Sequence, residues 1–412
     1  MKIRKKYLFY LLAFSSSIIA ALLTGVDVIL ERYLENPWVL GLAIFYLGVL
    51  MSIIFTLIFS IPYKGKSLGS LTIDPTFNKI RFFKREEIKY HILGGAGNAI
   101  LTIGYFALII IIRDPSVILP FSQIVILYLV IIESVTEKNT PTLIEIQSSI
   151  IVTFGAILGS ISLSGTISLE ALAIVFFVIN PGWVLLSINQ RKLKTLKIKN
   201  KTNDALNIRL WNVIFACLFT ILFTLIYDYV YGTNNLIESF YSTVDQFGWL
   251  FLVGIGTFFS FVFYIRALGI GKASVTQAVK SSVIIFTIPV SLILAYYGFI
   301  DPLSSDPVLI LIKIIGIVLI ILGITSFALT LIKAYIFIKL KTGYPIEETM
   351  QKLWNIGGVT RVCAVAGTYD IMLKIRTRTL VKGYENILRK LESIESIKEF
   401  KWQSVLKEWE DI

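Results

Sequence analysis

Lys280 sets the hardest chemical problem in the sequence. It stands inside an apolar run, about 10 Å of helical rise from the start of that run at 1.5 Å per residue. Gln277, three residues before Lys280 and four before Ser281, shares its helix face, with Ser274 a turn earlier. A cation in such a run costs roughly 2.5 to 3.5 kcal/mol on insertion scales, so a counter-ion, an anionic solute or a route to the interface must offset it. Two readings stand: a cavity-lining lysine that meets a carboxylate, or a side chain that snorkels to the inner interface. Asp27 poses the complementary question, as a proton or cation site or as a carboxylate close to outer water. Gln123 and Asn98 can serve a polar solute or bridge helices, the latter worth about 0.6 kcal/mol. At Asn180-Pro181 the proline removes a backbone donor, giving a hinge, an unwound ligand site or a plain kink; Pro120 and Pro289 interrupt two further apolar runs. Among many aromatics, Trp183 and Trp211 are the candidate cavity walls. Catalytic chemistry has little to work with. One His and two distant cysteines, Cys217 and Cys363, make no metal cluster or disulfide framework, and no Ser/His/Asp group or phosphate loop is present. The chain is read as a non-enzyme without cofactor or metal.

The elements that must position these residues follow from composition. The 412 residues are 56% hydrophobic and 16% charged, with a mean hydropathy of +0.77, which excludes a soluble globular protein. Apolar stretches of transmembrane length fall at 7–31, 38–62, 91–112, 116–134, 142–163, 168–187, 208–230, 247–268, 273–297 and 308–332. The first imitates a secretory signal but runs on past any small-residue cleavage site, so it is expected to remain as a span. Basic residues gather in alternate connections, at 64–89, at Lys138, from Arg191 to Arg209 and at Arg266 and Lys272. That bias puts both termini in the cytoplasm of a multi-pass plasma-membrane protein. The net charge of +12 thereby reads as topology and attraction to the lipid bilayer, not as a nucleic-acid footprint.

The ten stretches divide into two sets of five. Ser116-Val-Ile-Leu-Pro120-Phe-Ser122-Gln123 lies over Ser274-Val-Thr-Gln277-Ala-Val-Lys280-Ser281, which pairs Gln123 with Ser281. Tyr105-Phe-Ala-Leu108 and Tyr264-Ile-Arg-Ala-Leu268 precede them, and Ser148/Gly155 and Gly316/Gly323 follow at the same spacing. Because five is odd, the second copy must enter the membrane inverted. These features resemble the drug/metabolite transporter superfamily with its EamA-like five-helix repeat, over roughly residues 5–332. The carriers are the aromatic-Ala-Leu helix end, the Ser-Val helix start, an acidic residue (Glu137, Asp306) in the next connection, and the small residues after it. Departures are Ser148 where Gly is usual, lengthened connections at 137–142 and 301–307, and a long 64–89 loop. The resemblance implies a secondary transporter in which two halves rock about a central cavity. Lys280, Gln277, Ser281, Gln123, Asn98, Asn180 and Asp27 would then be the substrate-binding candidates.

From about Lys333 short alternating segments replace the membrane signal. Strands are expected at 334–341, 359–366 and 371–378 and around Phe400, Trp402, Ser404 and Leu406, with helical stripes through Ile346, Met350, Leu353 and Trp354 and from Leu380 to Ile394. The order is βαββαβ, a ferredoxin-like split unit. The segment resembles the ligand-binding domain of Lrp/AsnC regulators, akin to ACT domains, on Tyr335-Ile-Phe-Ile-Lys339, Val362-Cys-Ala-Val-Ala-Gly-Thr-Tyr-Asp-Ile-Met-Leu-Lys374 and Leu391-Glu-Ser-Ile-Glu-Ser-Ile-Lys398. This resemblance implies an amino-acid effector at Gly367, Tyr369 and Asp370; the plainer reading gives Gly367 the positive φ of a turn and Asp370 its cap. The helix-turn-helix of those regulators is absent. The expected architecture is therefore an all-α bundle of ten transmembrane helices in two inverted repeats, residues 1–165 and 166–332, followed by a small α+β domain at 333–412. The expected function is export of amino acids or related small molecules, with a tail that senses an effector or forms a homodimer by edge pairing. The alternative is a membrane-bound receptor that signals through its tail without transport.

Overall fold

A computed structural model describes residues 5–112, 118, 123–136, 143–159, 169–198, 201–300, 306–329, 332–377 and 387–404. The chain divides into two compact units, Met1–Ile132 with Ser149–Ile324, and Glu133–Ser148 with Thr325–Ile412. In the first part of the chain the elements are α1 (Lys5–Glu31), α2 (Pro37–Phe59), a two-residue hairpin β1 (Pro62–Tyr63) and β2 (Lys66–Ser67), α3 (Leu68–Thr72), α4 (Arg85–Ile112), α5 (Val125–Thr136) and α6 (Leu143–Gly159). After them come α7 (Leu169–Thr195), the hairpin β3 (Lys197–Ile198) and β4 (Lys201–Thr202), α8 (Ala205–Tyr231), α9 (Asn235–Asp245), α10 (Phe247–Ile270), α11 (Ala273–Lys280), α12 (Val283–Tyr296) and α13 (Pro307–Leu329).

Among the described residues seven helices are long and apolar enough to cross a membrane: α1, α2, α4, α7, α8, α10 and α11 taken with α12. Ile146–Gly155 and Pro307–Gly323 are shorter apolar helices. The expectation of ten full-length spans is thus met by seven. Residues 116, 117 and 119–122 of the 116–134 stretch, including Pro120, lie outside the described residues. Large apolar side chains such as Leu222, Ile226, Phe177, Ile293 and Leu311 are exposed on the helix exteriors, a surface that suits lipid rather than water.

Local chemistry sets the helix ends. Asn36 caps α2, its side chain accepting from the Trp38 amide at 2.9 Å ahead of Pro37 at the first position. Asp204 caps α8 by accepting from the Asn207 amide at 2.7 Å, and Gly232 closes it with φ +67°. The helix of Asn180-Pro181 is continuous, but a π turn at Val175–Ile179 immediately precedes the pair, so the missing proline donor is absorbed by a widened turn. The stretch at 273–297 is broken by the turn at Ser281 and Ser282, where Ile284 and Ile285 donate back three residues, at 3.1 and 3.0 Å. A matching turn at Gln123 and Ile124 has Ile126 and Leu127 donating back three residues, both at 3.1 Å.

Within the bundle α4 packs on α7 and α1 on α10, α8 packs on α4 and α2, and α10 packs on α2. Gly97 and Gly182 bring α4 and α7 backbone to backbone: a Cβ on Gly182 would lie 2.8 Å from the Leu101 nitrogen and 2.9 Å from the Gly97 oxygen. The ends of α1 and α8 lie on the same side, since Asn36 Nδ2 donates to Asn235 Oδ1 at 2.7 Å. On the other side the connection after α2 is clasped to the start of α8. Lys194 Nζ donates to Asp74 Oδ2 and to the Asn203 carbonyl, both at 2.6 Å. Arg81 makes a two-pronged pair with Glu87 at 2.8 Å per contact and reaches Asn203 Oδ1 at 2.7 Å, while Asn203 Nδ2 donates to Glu87. Burial alone would raise the Asp74 pKa, but the Lys194 ammonium, with bonds from Ala205 and Thr76, outweighs it and holds the carboxyl below its ordinary value. The bond to Glu87 raises the Arg81 pKa further.

The C-terminal strands are β5 (Ile332–Leu340), β6 (Val359–Ala364), β7 (Ile371–Thr377) and β8 (Ile397–Ser404), with α14 (Ile346–Trp354) and a second helix at 387–392. Their order in the sheet is β6-β7-β5-β8, each neighbour antiparallel. Ile336, Ile338, Ile371, Leu373 and Ile375 alternate onto one face, which Leu353, Ile387 and Leu391 cover. The stripe expected through Ile346 and Trp354 is narrower in the structure, because both residues are exposed.

Candidate functional site

A cavity of about 170 Å3 lies within the helical bundle, and its lining includes Asp27, Asn98, Gln123, Trp183, Gln277 and Lys280. Five of the seven sequence candidates for a substrate site therefore meet at one place. Lys280 ends α11, with its carbonyl accepting from Ser17 Oγ at 2.9 Å. Its ammonium is enclosed by rings, 4.4 Å from the centroid of Trp183, 4.6 Å from Tyr264 and 5.7 Å from Phe261. Among the described residues no carboxylate pairs with it. The snorkelling alternative is thereby disfavoured, since the ammonium sits against buried rings and the residue is 7% exposed. Ring contacts of this kind contribute about 0.5 to 2 kcal/mol each, so the three together are of the same order as the insertion cost.

The amides form a rigid frame beside it. Trp183 Nε1 donates to Gln277 Oε1 at 3.0 Å, Gln277 Nε2 donates to Gln123 Oε1 at 3.1 Å, and Ser281 Oγ donates to the same oxygen at 2.6 Å. Gln123 and Ser281, paired by the sequence repeat, are thus bonded to each other at the two helix breaks. Ser281 stands one bond behind the lining. Tyr264 is held by its hydroxyl, 2.8 Å from Ser187 Oγ.

Asp27 lies near the far end of the cavity, four residues before the end of α1. One oxygen accepts from the Tyr105 hydroxyl at 3.0 Å; the other, Oδ1, is buried with no partner among the described residues. Asn98 lines the cavity and bridges helices, donating to Asn212 Oδ1 at 3.1 Å. Asn180 departs from expectation. It is fully buried beside the π turn, outside the lining, with neither side-chain amide atom paired among the described residues. Trp211 is also not a cavity wall: it packs against the rings of Phe82, at a tilt, and Phe83, edge-on, and donates to the Arg81 carbonyl at 2.8 Å.

Arg209 is a site residue that the sequence pattern conceals. In one dimension it is the last of a run of basic loop residues, yet it falls inside α8, is 3% exposed and lines the cavity. Its guanidinium lies 4.5 Å from the Phe261 centroid, and Nε and Nη1 are buried without partners among the described residues. The one signal in the sequence is its position at the start of the apolar stretch 208–230. No three His, Cys, Asp or Glu side chains come together among the described residues to hold a metal.

In the tail, Gly367 takes φ +140°, a conformation that favours glycine, with open space where a Cβ would point. Asp370 is occupied by its own fold: its amide donates to the Ile338 carbonyl at 2.9 Å and its Oδ2 accepts from the Leu340 amide at 2.7 Å. Tyr369 lies against Phe337, ring centroids 5.7 Å apart.

Comparison with known proteins places residues 333–411 in one family: they match the family model of the Lrp/AsnC ligand binding domain, so the chain carries such a domain at its C-terminal side. Residues 1–332 lie outside that match. No curated protein matches the chain. A solved structure described as "Crystal structure of protein" aligns over 78% of this chain and 96% of its own, at 14% identity and a TM-score of 0.46, a similarity too low to carry an argument.

Proposed function

We propose that residues 1–332 form a secondary transporter of small metabolites of the EamA-like type, with ten spans in two inverted five-helix repeats. Its cargo is amino acids or related compounds, moved outward, and its ferredoxin-like tail senses an effector at Gly367, Tyr369 and Asp370 or joins two copies. The observation that carries this reading is the cavity, whose wall includes Gln123 and backs onto Ser281, the repeat-equivalent residues at matching helix breaks. The packing of α1 on α10 and of α4 on α7 supports it, because an inverted repeat relates the first and eighth spans to the sixth and third. The strand order β6-β7-β5-β8 supports the ferredoxin-like reading of the tail, since a split βαββαβ unit produces that order.

Alternating access is the test. Thr257, which lines the cavity, is changed to Cys in a chain with Cys217→Ser and Cys363→Ser, and sealed vesicles of both orientations are treated with a membrane-impermeant maleimide. A transporter exposes Thr257→Cys to reagent from either side over time. Labelling from one side alone would replace transport by the receptor reading, in which the tail signals and nothing crosses.

A further inference from the structure

Two buried cations share one wall of the cavity, with no counter-ion among the described residues. Arg209, on α8, and Lys280, on α11, are 3% and 7% exposed, and both lie against the ring of Phe261, at 4.5 and 5.7 Å. A ring face attracts a cation but cannot accept the several N–H groups of a guanidinium, and Arg209 Nε and Nη1 have no partner among the described residues. The carboxylate that lines the same cavity is out of reach. Ser17 bonds to the backbone of Lys280, and Asp27 is ten residues further along α1, about 15 Å of rise. Asp74, on the clasped connection, and Glu87, in the first turn of α4, are engaged by Lys194 and Arg81. The amides beside Lys280 are bonded to Trp183 and to each other, and the lining also holds the apolar Leu101, Val213, Val253 and Val283.

We propose that this wall is an anion site, at which Arg209 and Lys280 together bind the carboxylate of a small organic acid of net negative charge while its apolar body lies on Phe261 and Trp183. The proposal rests on the transport reading and narrows its cargo. Two like charges buried against one ring repel until an anion offsets them. A zwitterion answers this less well than a simple carboxylate, because its ammonium enters a site that already holds two cations and no neighbouring acid. Guanidinium is suited to a planar carboxylate by its fork of donors. Net-negative relatives of amino acids, with the nitrogen absent or acylated, fit this class; the free neutral amino acid fits it less.

The experiment is ligand-induced thermal stabilisation of the purified full-length protein in detergent, with probes that share a skeleton: 3-phenylpropanoate, its neutral amide 3-phenylpropanamide, and L-phenylalanine. Inorganic phosphate is the fourth probe, to separate a carboxylate site from a general oxyanion site. The expected result is saturable stabilisation by 3-phenylpropanoate, at least tenfold tighter than by any of the other three. Arg209→Gln and Lys280→Gln each weaken it tenfold or more, Arg209→Lys weakens it less than Arg209→Gln, and the lipid-facing Leu218→Ala leaves it unchanged. Equal binding of acid and amide, equal binding of L-phenylalanine, preference for phosphate, absence of binding, or affinity unaltered in Arg209→Gln would each overturn the proposal. Arg209→Lys keeps the charge and so keeps the test open if Arg209→Gln fails to fold. The cysteine assay separates the two claims: loss of acid binding with two-sided access sinks the anion site alone, and one-sided access with acid binding intact sinks transport alone.

Discussion

At Asp74 and Lys194 one buried contact decides how the long connection after α2 is held. The pair lies 2.6 Å apart with side chains 3% and 9% exposed, so removing one partner leaves the other charge without compensation, at a cost of about 3 to 5 kcal/mol. Lys194→Met is therefore expected to lower the melting temperature of the detergent-solubilised protein sharply, whereas Lys352→Met, which removes an exposed pair with Glu348, changes it little. The pH dependence has a definite sign. The Asp74 pKa is lowered in the folded chain, so its stabilisation is in full force above the unfolded carboxylate value of about 3.9 and is lost as pH falls through the folded value. A melting profile from neutral pH downward should stay flat with respect to this contact until about pH 4. Lys194→Met removes that acid-side loss, because the unpaired buried carboxyl then gains from protonation. If the variant's profile falls on acidification as the parent's does, the clasp is not what the acid breaks. This contact has no signature in the sequence, since its partners are far apart along the chain and each looks like an ordinary loop charge. Arg209 is hidden because it closes a run of basic loop residues while already lying inside α8. Lys280, Gln277 and Gln123 are legible because a polar group in an apolar run requires an explanation wherever it points.

Periodicity and apolar length locate α1, α2, α8 and α10 to within a few residues and the end of α4, whose polar first turns begin six residues before the apolar stretch, because a helix that crosses lipid must be long and continuous in sequence. What stays hidden in one dimension is how helices touch. The contact of α4 with α7 depends on Gly97 and Gly182, which look no different in sequence from glycines that touch nothing. A side chain on Gly182 would meet backbone atoms of Leu101 and Gly97, and backbone cannot move aside as a flexible side chain can. Overpacking of this kind costs about 1 to 3 kcal/mol, so Gly182→Ala is expected to lower the melting temperature. At Gly248, near the start of α10, a Cβ would meet nothing within 4 Å. Gly248→Ala should therefore stabilise by about 0.4 to 1 kcal/mol through the unfolded chain. The opposite signs of the two variants, in the same thermal melt, check that close approach rather than glycine content governs the packing. The π turn before Asn180 is another contact-level feature: Pro181 announces an interruption, but only the neighbouring helices decide whether it becomes a kink, a break or a widened turn.

For the whole molecule the strongest constraint is which side of the membrane each connection occupies. The bonded ends of α1 and α8 at Asn36 and Asn235 lie on one side, and the clasp among Asp74, Arg81, Lys194 and Asn203 lies on the other. Basic residues gather at the clasp side, and if lysine and arginine stay on the cytoplasmic side here as they generally do, that face is expected to point inward. With the even number of spans proposed above, the chain returns to the same side before β5, so the C-terminal domain is expected in the cytoplasm. The chain carries its own reporter for this. Of its two cysteines, Cys217 is buried in α8 and Cys363 is partly exposed on β6, so a membrane-impermeant maleimide reads the position of the tail with no engineered residue. Labelling of Cys363 is expected in inside-out vesicles and absent in sealed right-side-out vesicles, with detergent lysis restoring it in the latter. Cys363→Ser should abolish the signal, which excludes Cys217 as its source. Labelling in right-side-out vesicles instead would put the tail outside, reverse the assignment of the basic connections, and remove any role for the tail in sensing a cytoplasmic effector.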